Sequence, residues 1–219
     1  MNCLICGGTA AETICPGCSE LEYQEVIRAY CLNSASKTPL LMAEEIMSHP
    51  GFPVAGQAHH PLIAAVLVTS YRNAGGVVAA EKIEEAIRRG NSLPGGFCGG
   101  FGADAAAIAC GIAVSVIQGN TINAEHAPGR AQAHALTGEG MLNVANKTGN
   151  RCCKRSVYSL LELATNYFNR VMGVWLEPPA ARVRCVFTAR NKLCNGAICP
   201  YFPAWRVASE SAGTVAVTK

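Results

Sequence analysis

The sequence predicts a mainly α protein: a compact helical domain around a buried Ala/Gly-rich central helix, preceded by a small zinc-ribbon-like module. Three observations carry this. Half of the 219 residues are hydrophobic and only 15% are charged, which excludes a wholly disordered chain and supplies one substantial core. Aromatics are only 6% while Gly numbers 22, so that core is built from Ala, Val, Ile and Leu on closely packed backbones. The 12 cysteines fall into two sets, Cys3 to Cys31 and Cys98 to Cys199, and the first set contains two CxxC pairs.

These features divide the chain into a four-cysteine metal-binding module (1–35), a helical cysteine-rich domain (36–205) and a polar tail (206–219). In the module, Leu21–Leu32 is helix-like and makes Cys31 a buried apolar thiol. Pro39 suits a first helical position after Thr38, and the helix runs to Met47 before His49-Pro50-Gly51 stops it. A second helix begins at Pro61 and ends near Asn73, closed by Ala74-Gly75-Gly76. Val78–Arg89 is amphipathic, with basic residues in its last turn and Gly90 as its stop. Asp104–Gln118 is apolar nearly all round and is the central helix. Arg130–Asn146 and Ser156–Val171 are two more. Arg182–Phe187 alternates Val183, Cys185 and Phe187 on one side and has strand character.

The N-terminus lacks a basic stretch followed by an apolar one. The longest apolar runs, Leu62–Thr69 and Ala105–Ile117, fall short of the roughly 20 residues that span a bilayer. A cytoplasmic location without membrane attachment is therefore expected, and a net charge of +3 is too mild to point to nucleic acid. In a reducing compartment, cysteines in this number favour metal ligation or redox chemistry over a disulfide framework.

Cys3-x2-Cys6 and Cys15-x2-Cys18 give two knuckles, each able to place two thiolates on one ion, and together they complete a tetrahedral shell of four sulfurs. Gly7-Gly8 and Pro16-Gly17 provide the tight backbone. Zinc is the default metal because four thiolates leave no open position; iron is the alternative.

Three segments of the main domain carry further chemistry. His59-His60-Pro61 precedes an apolar helix, with His60 expected to face the cysteines and His59 to be partly exposed. Cys98 sits in the glycine-rich turn Pro94–Gly102, where free N–H groups and a helix end would lower its pKa. Cys152 and Cys153 lie among Arg151, Lys154 and Arg155, which would stabilise thiolates. A bridge between adjacent cysteines is strained, so separate roles are expected. Cys185 follows, and Cys194-x4-Cys199-Pro200 has spacing compatible with iron–sulfur ligation.

The chain resembles the DUF5714 family of cysteine-rich proteins from anaerobic bacteria and archaea. The resemblance runs from the CLICG start to CPYF and is carried by HHPLIAAVLVTSYRNAGG (59–76), LPGGFCGGFGA (93–103), GIAVS (111–115), NRCCKRSVY (150–158) and CVFTARNKLCNGAICPYF (185–202). It implies a cysteine-rich domain found beside methyltransferase or radical-SAM modules, and no established reaction. The chain departs from the pattern at Asp104, where members tend to show a second cysteine, and at Ala58, where an acidic residue is expected.

The leading expectation is a cysteine-rich metalloprotein with an iron–sulfur site, of [4Fe–4S] type, on Cys98, Cys152, Cys153, Cys185, Cys194 and Cys199, with His60 as an extra ligand or proton carrier. Zinc would occupy the N-terminal module. The protein would serve anaerobic redox, sulfur handling or maturation of another enzyme, alongside a protein partner. Two alternatives stand beside it: a thiol–disulfide enzyme using Cys98 with Cys152 or Cys153, and a zinc-stabilised interaction module. Cys110 and Cys31 are expected outside the site. Whether the protein is an enzyme is not legible in these residues.

Overall fold

The computed structural model describes residues 1–203, so the polar tail 206–219 lies outside the described residues. Nine α-helices make up the described chain, which contains no β-strand: α1 (Pro16–Ser19), α2 (Tyr23–Asn33), α3 (Pro39–Met47), α4 (His59–Asn73), α5 (Glu81–Asn91), α6 (Phe97–Gly100), α7 (Ala105–Ile117), α8 (Ala127–Ala145) and α9 (Cys153–Val171). The architecture is mainly helical, as the composition predicts. No described helix is long and apolar enough to cross a membrane.

Helices α4 and α7 form the centre. Every residue of α4 from His59 to Ser70 is buried, and α7 has no charged residue in its length. A helix that is apolar on all sides has no solvent face and must be surrounded. Accordingly α4 is flanked by α2, α3, α5, α7 and α9, and α7 by α4, α5, α8 and α9. Small residues set the spacing. A Cβ on Gly111 would lie 2.9 Å from the Ala133 carbonyl on α8, and one on Gly140 would lie 3.1 Å from the Ala107 Cβ. The α7–α8 contact therefore depends on missing side chains.

Asp104 starts α7. Its Oδ1 accepts hydrogen bonds from the N–H groups of Ala106 (2.9 Å) and Ala107 (3.2 Å), the geometry of an N-cap carboxylate. At α5 the sequence reading needs correction. The helix begins at Glu81 rather than Val78, and Gly90 lies within it rather than stopping it. Gly90 is needed for approach: a Cβ there would sit 2.5 Å from Pro61 Cα. Helix α4 likewise starts two residues early, at His59, which puts both histidines on its first turn.

The segment Arg182–Phe187 forms no strand. Val183, Cys185 and Phe187 are buried as the alternation implies, but the backbone pairing there is a single bond, Cys185 N–H to the Tyr201 carbonyl at 2.8 Å. Alternation registered burial without a partner strand to pair with.

The N-terminal residues join the same core. Cys3, Ile5 and Cys18 are buried with Val26, Ile27, Tyr30 and the α4 side chains. His49, fully buried, accepts a hydrogen bond at Nδ1 from Gly51 N–H (3.0 Å). Its Nε2–H therefore donates to the Cys18 carbonyl at 2.8 Å, clamping the second knuckle to the end of α3.

Candidate metal centres

The first centre is N-terminal. The hairpin of the first knuckle is closed by a bridge between Asn2 and Thr9, and by Cys3 N–H donating to the Gly8 carbonyl (2.7 Å). Gly7 takes φ +72°, which a side chain would resist. The second knuckle enters α1, with Pro16 at its first position. Cys3, Cys6, Cys15 and Cys18 converge so that their Sγ atoms all lie within 4.8 Å of one another. Sulfurs on one tetrahedral ion sit about 3.8 Å apart at a bond length of about 2.3 Å. The Cys6–Cys15 separation is 3.9 Å. Cys15 N–H donates to Cys3 Sγ at 3.3 Å, and N–H groups of this kind pull the Cys3 thiol down to about 6, against its burial. Burial and the neighbouring sulfurs push Cys18 up. Four converged thiols in this geometry form a cluster that could hold a metal ion such as zinc.

The second centre lies beneath the C-terminal segment. Cys152, Cys185, Cys194 and Cys199, from three separate stretches of chain, line one small cavity with Asn191 and Tyr158. Two of the sulfurs meet a hydrogen-bond donor. Asn191 Nδ2 donates to Cys152 Sγ (3.2 Å) and Gly196 N–H to Cys194 Sγ (3.5 Å). Burial raises the Cys185 and Cys199 thiols, opposed by the nearby backbone of Phe187 and of Tyr201. Tyr158 Oη, in the wall, is buried without a partner of normal hydrogen-bond geometry. Arg155 braces the rim, donating to the carbonyls of Thr148 (2.7 Å) and Asn150 (3.0 Å). Asn195 donates to that same Asn150 carbonyl at 2.8 Å. Lys154 is buried between the Phe52 and Phe187 rings, and burial lowers its ammonium to about 8 although Cys153, Cys185 and Cys152 oppose the fall.

A third group sits on the other side of the α9 start. His59, His60, Cys98, Asp104, Arg151 and Cys153 line a cavity of about 10 Å³. His59 Nδ1 bonds the Gly56 carbonyl (3.0 Å) and His60 Nδ1 the Leu93 carbonyl (3.1 Å). Arg151 Nη1 donates to Cys98 Sγ (3.7 Å) and Cys153 Sγ (3.4 Å). Ala105 N–H at the start of α7 donates to Cys98 at 3.3 Å, and Gly56 N–H to Cys153 at 3.2 Å.

The residues expected to share one site are thus divided. Cys152, Cys185, Cys194 and Cys199 line one cavity; Cys98, Cys153 and His60 line another. Two expectations fail. His59 is 1% exposed rather than partly open, because α4 begins at His59 and turns it inward against Phe52. Cys98 is raised rather than lowered, since desolvation outweighs Ala105 and Arg151. Cys31 and Cys110 are both fully buried, outside the three groups, and burial raises each thiol. The sequence reading missed Tyr158 and the placement of Cys153 with His59 in one cavity. The signal for the last was the Cys152-Cys153 doublet itself, since consecutive residues at a helix start point apart.

Over residues 27–202 the chain matches DUF5714, a family of unknown function, and it belongs to that family. The match begins after the four N-terminal cysteines, so the CLICG start of the resemblance falls outside it. No curated protein and no solved structure matches the chain.

Proposed function

We propose that this DUF5714 member is a metalloprotein whose Cys152, Cys185, Cys194 and Cys199 hold an iron–sulfur cluster of [4Fe–4S] type. In this reading residues 1–35 carry a structural zinc ion and dock on the helical domain 36–205. The observation that carries the proposal is the placement of four cysteines from three segments on one cavity, with hydrogen-bond donors at Cys152 and Cys194. Among the described residues, only the N-terminal four bring three or more potential ligand atoms mutually within 4.8 Å. The sulfurs of the second centre are therefore spread wider than one tetrahedral ion needs, and a multi-iron cluster accepts that spread.

Such a cluster supplies one-electron transfer when bound. The chain's own residues hold and tune it. Asn191 directs its amide N–H at Cys152, and the Gly196 backbone N–H does the same for Cys194. N–H···S bonds stabilise negative charge on sulfur and so favour the reduced state. The buried Lys154 and Arg155 offset the cost of an anionic centre. Electron transfer, sulfur handling or maturation of another enzyme, each with a protein partner and in an anaerobic cell, fits this arrangement.

The test is anaerobic purification and reconstitution with iron and sulfide. The expected product is brown, with about four iron and four sulfide per chain, and Cys194→Ser loses them. A colourless protein that takes only zinc at these cysteines refutes the proposal and leaves the interaction-module reading. A second reading, a thiol–disulfide enzyme, is favoured by one observation: Cys98 and Cys153 share the Arg151 guanidinium. Cys152 lines the other cavity and would take no part in that pair.

A further inference from the structure

We infer that the pocket at the start of α4 is a separate metal site, in which His59, His60, Cys98 and Cys153 take one borderline divalent ion of the zinc class. The inference stands on its own observations and does not require a cluster in the neighbouring cavity.

Both imidazoles are set as metal-binding histidines are. Each is tied through Nδ1 to a backbone carbonyl, His59 to Gly56 and His60 to Leu93. A carbonyl only accepts, so both Nδ1 atoms carry the proton and both Nε2 atoms present a lone pair. Carbonyl-anchored Nδ1–H with a free Nε2 is the usual outer-shell arrangement around a ligating histidine. His59 adds the second observation. It is 1% exposed, and its Nε2 is buried with no hydrogen-bond partner. Leaving a buried polar atom unsatisfied costs about 1–3 kcal/mol, and a metal bond removes that cost. Neither imidazole is charged: burial lowers both, and Lys154 and Arg151 add to the effect at His59. Neutral imidazole is the form that ligates.

Two sulfurs complete the set of four donors. Cys98 and Cys153 stand 3.7 and 3.4 Å from one guanidinium nitrogen, so Arg151 occupies the place between them. With the guanidinium there, no three of the four donors lie mutually within 4.8 Å, and an ion must displace it and draw them in. Arg151 is itself exposed and free to leave when an ion replaces its positive charge. Asp104 lines the same wall with one carboxylate oxygen engaged by the α7 N-cap and the other available. At about 10 Å³ the free space is far below the roughly 300–1,000 Å³ that organic ligands occupy, and it leaves room only for an ion. Two imidazoles and two thiolates select borderline metals over magnesium or calcium. Loading exchanges the thiol protons for the ion, with no change of oxidation state.

Zinc is the probe. The full chain is purified anaerobically with reductant, equilibrated with excess Zn²⁺, freed of loose metal and assayed for zinc. Cys98→Ser and His59→Gln are each expected to lose one equivalent, while Cys194→Ser keeps that equivalent, so failure of the cluster reading and of this one are distinguishable. Because His59→Gln alters a buried position, a measurement on the unaltered chain stands beside it. Zn²⁺ should slow alkylation of Cys98 by at least tenfold as followed by mass spectrometry of the peptide. Unchanged zinc content in Cys98→Ser, or unprotected Cys98, overturns the inference. So does a protein purified without reductant that shows a Cys98–Cys153 disulfide and takes no zinc there after reduction, which assigns the pair to thiol exchange instead.

Discussion

Replacing Gly90 by Ala tests how the helix packing supports the histidine pocket. By helix propensity alone the change should stabilise α5 by about 1 kcal/mol. The structure predicts the opposite. A Cβ at Gly90 would stand 2.5 Å from Pro61 Cα, 2.7 Å from Pro61 N and 3.1 Å from the His60 carbonyl carbon. Ordinary carbon contacts need about 3.5–4.0 Å. All three atoms are backbone, so no side chain can swing aside and α4 must move from α5 by about 1 Å to reach that separation. Overpacking of this kind costs about 1–3 kcal/mol. Taking the upper part of that range, because only backbone yields, the net loss is about 1–2 kcal/mol after the propensity gain. For a chain of this size that lowers Tm by about 2–8 °C. Gly138→Ala on α8 is the control: no heavy atom lies within 4 Å of its Cβ position, so only the propensity gain remains. Thermal melts of both variants, in reductant and without added metal, read the two signs. A Gly90→Ala protein as stable as Gly138→Ala refutes the packing argument. The displaced backbone carries His60, so zinc uptake at the His/Cys pocket should weaken in the same variant.

Cys3→Ser or Cys18→Ser should each lose one zinc equivalent while far-UV helical signal is retained, because the helices α3 to α9 contain none of the four ligands; loss of that signal would show that the first 35 residues and the rest melt as one unit. His49→Phe removes the donor to the Cys18 carbonyl and leaves Gly51 N–H unpaired, so the zinc of the N-terminal site should be released at lower chelator concentration than in wild type. Asn191→Ala removes one N–H···S bond and should move the reduction potential of a reconstituted cluster to more negative values, by protein-film voltammetry. Burial holds the Cys185 and Cys199 thiols above their ordinary value, so both carry protons at neutral pH. Loading of that cavity should therefore release protons, and apparent affinity should rise with pH; calorimetry in buffers of different ionisation enthalpy reads the release.

The helices were legible in the sequence wherever a local signal ended them. Pro39 after Thr38 and His49-Pro50-Gly51 bracket α3, and its observed bounds agree. The apolar run from Ala105 is α7 because no other element can bury all of its faces. The N-terminal cysteines were legible for the same reason, since each CxxC pair fixes its geometry within a few residues. Gly90 reads as a stop because its true role, the approach of Pro61, joins residues on two different helices. The histidines were misjudged by a two-residue error in the start of α4. Division of the second cysteine set into two cavities is further still from local reach, because Cys98 and Cys199 are brought to α9 by the packing of α4, α7 and the C-terminal coil.

The Cys152-Cys153 doublet is where these levels meet. Cys152 is the N-cap of α9, with extended backbone (φ −134°, ψ 112°), while Cys153 is its first helical residue. A change from extended to helical backbone between neighbours turns successive side chains to different sides. Cys152 therefore reaches the Asn191 amide and the coil that carries Cys185, Cys194 and Cys199, and Cys153 reaches Gly56, Arg151 and the pocket of His59 and His60. One peptide bond joins the two walls, and adjacent Cα atoms are about 3.8 Å apart. Two consecutive cysteines that cannot pair with each other thus set two pockets side by side, with the proposed cluster site on one wall and the proposed single-ion site on the other.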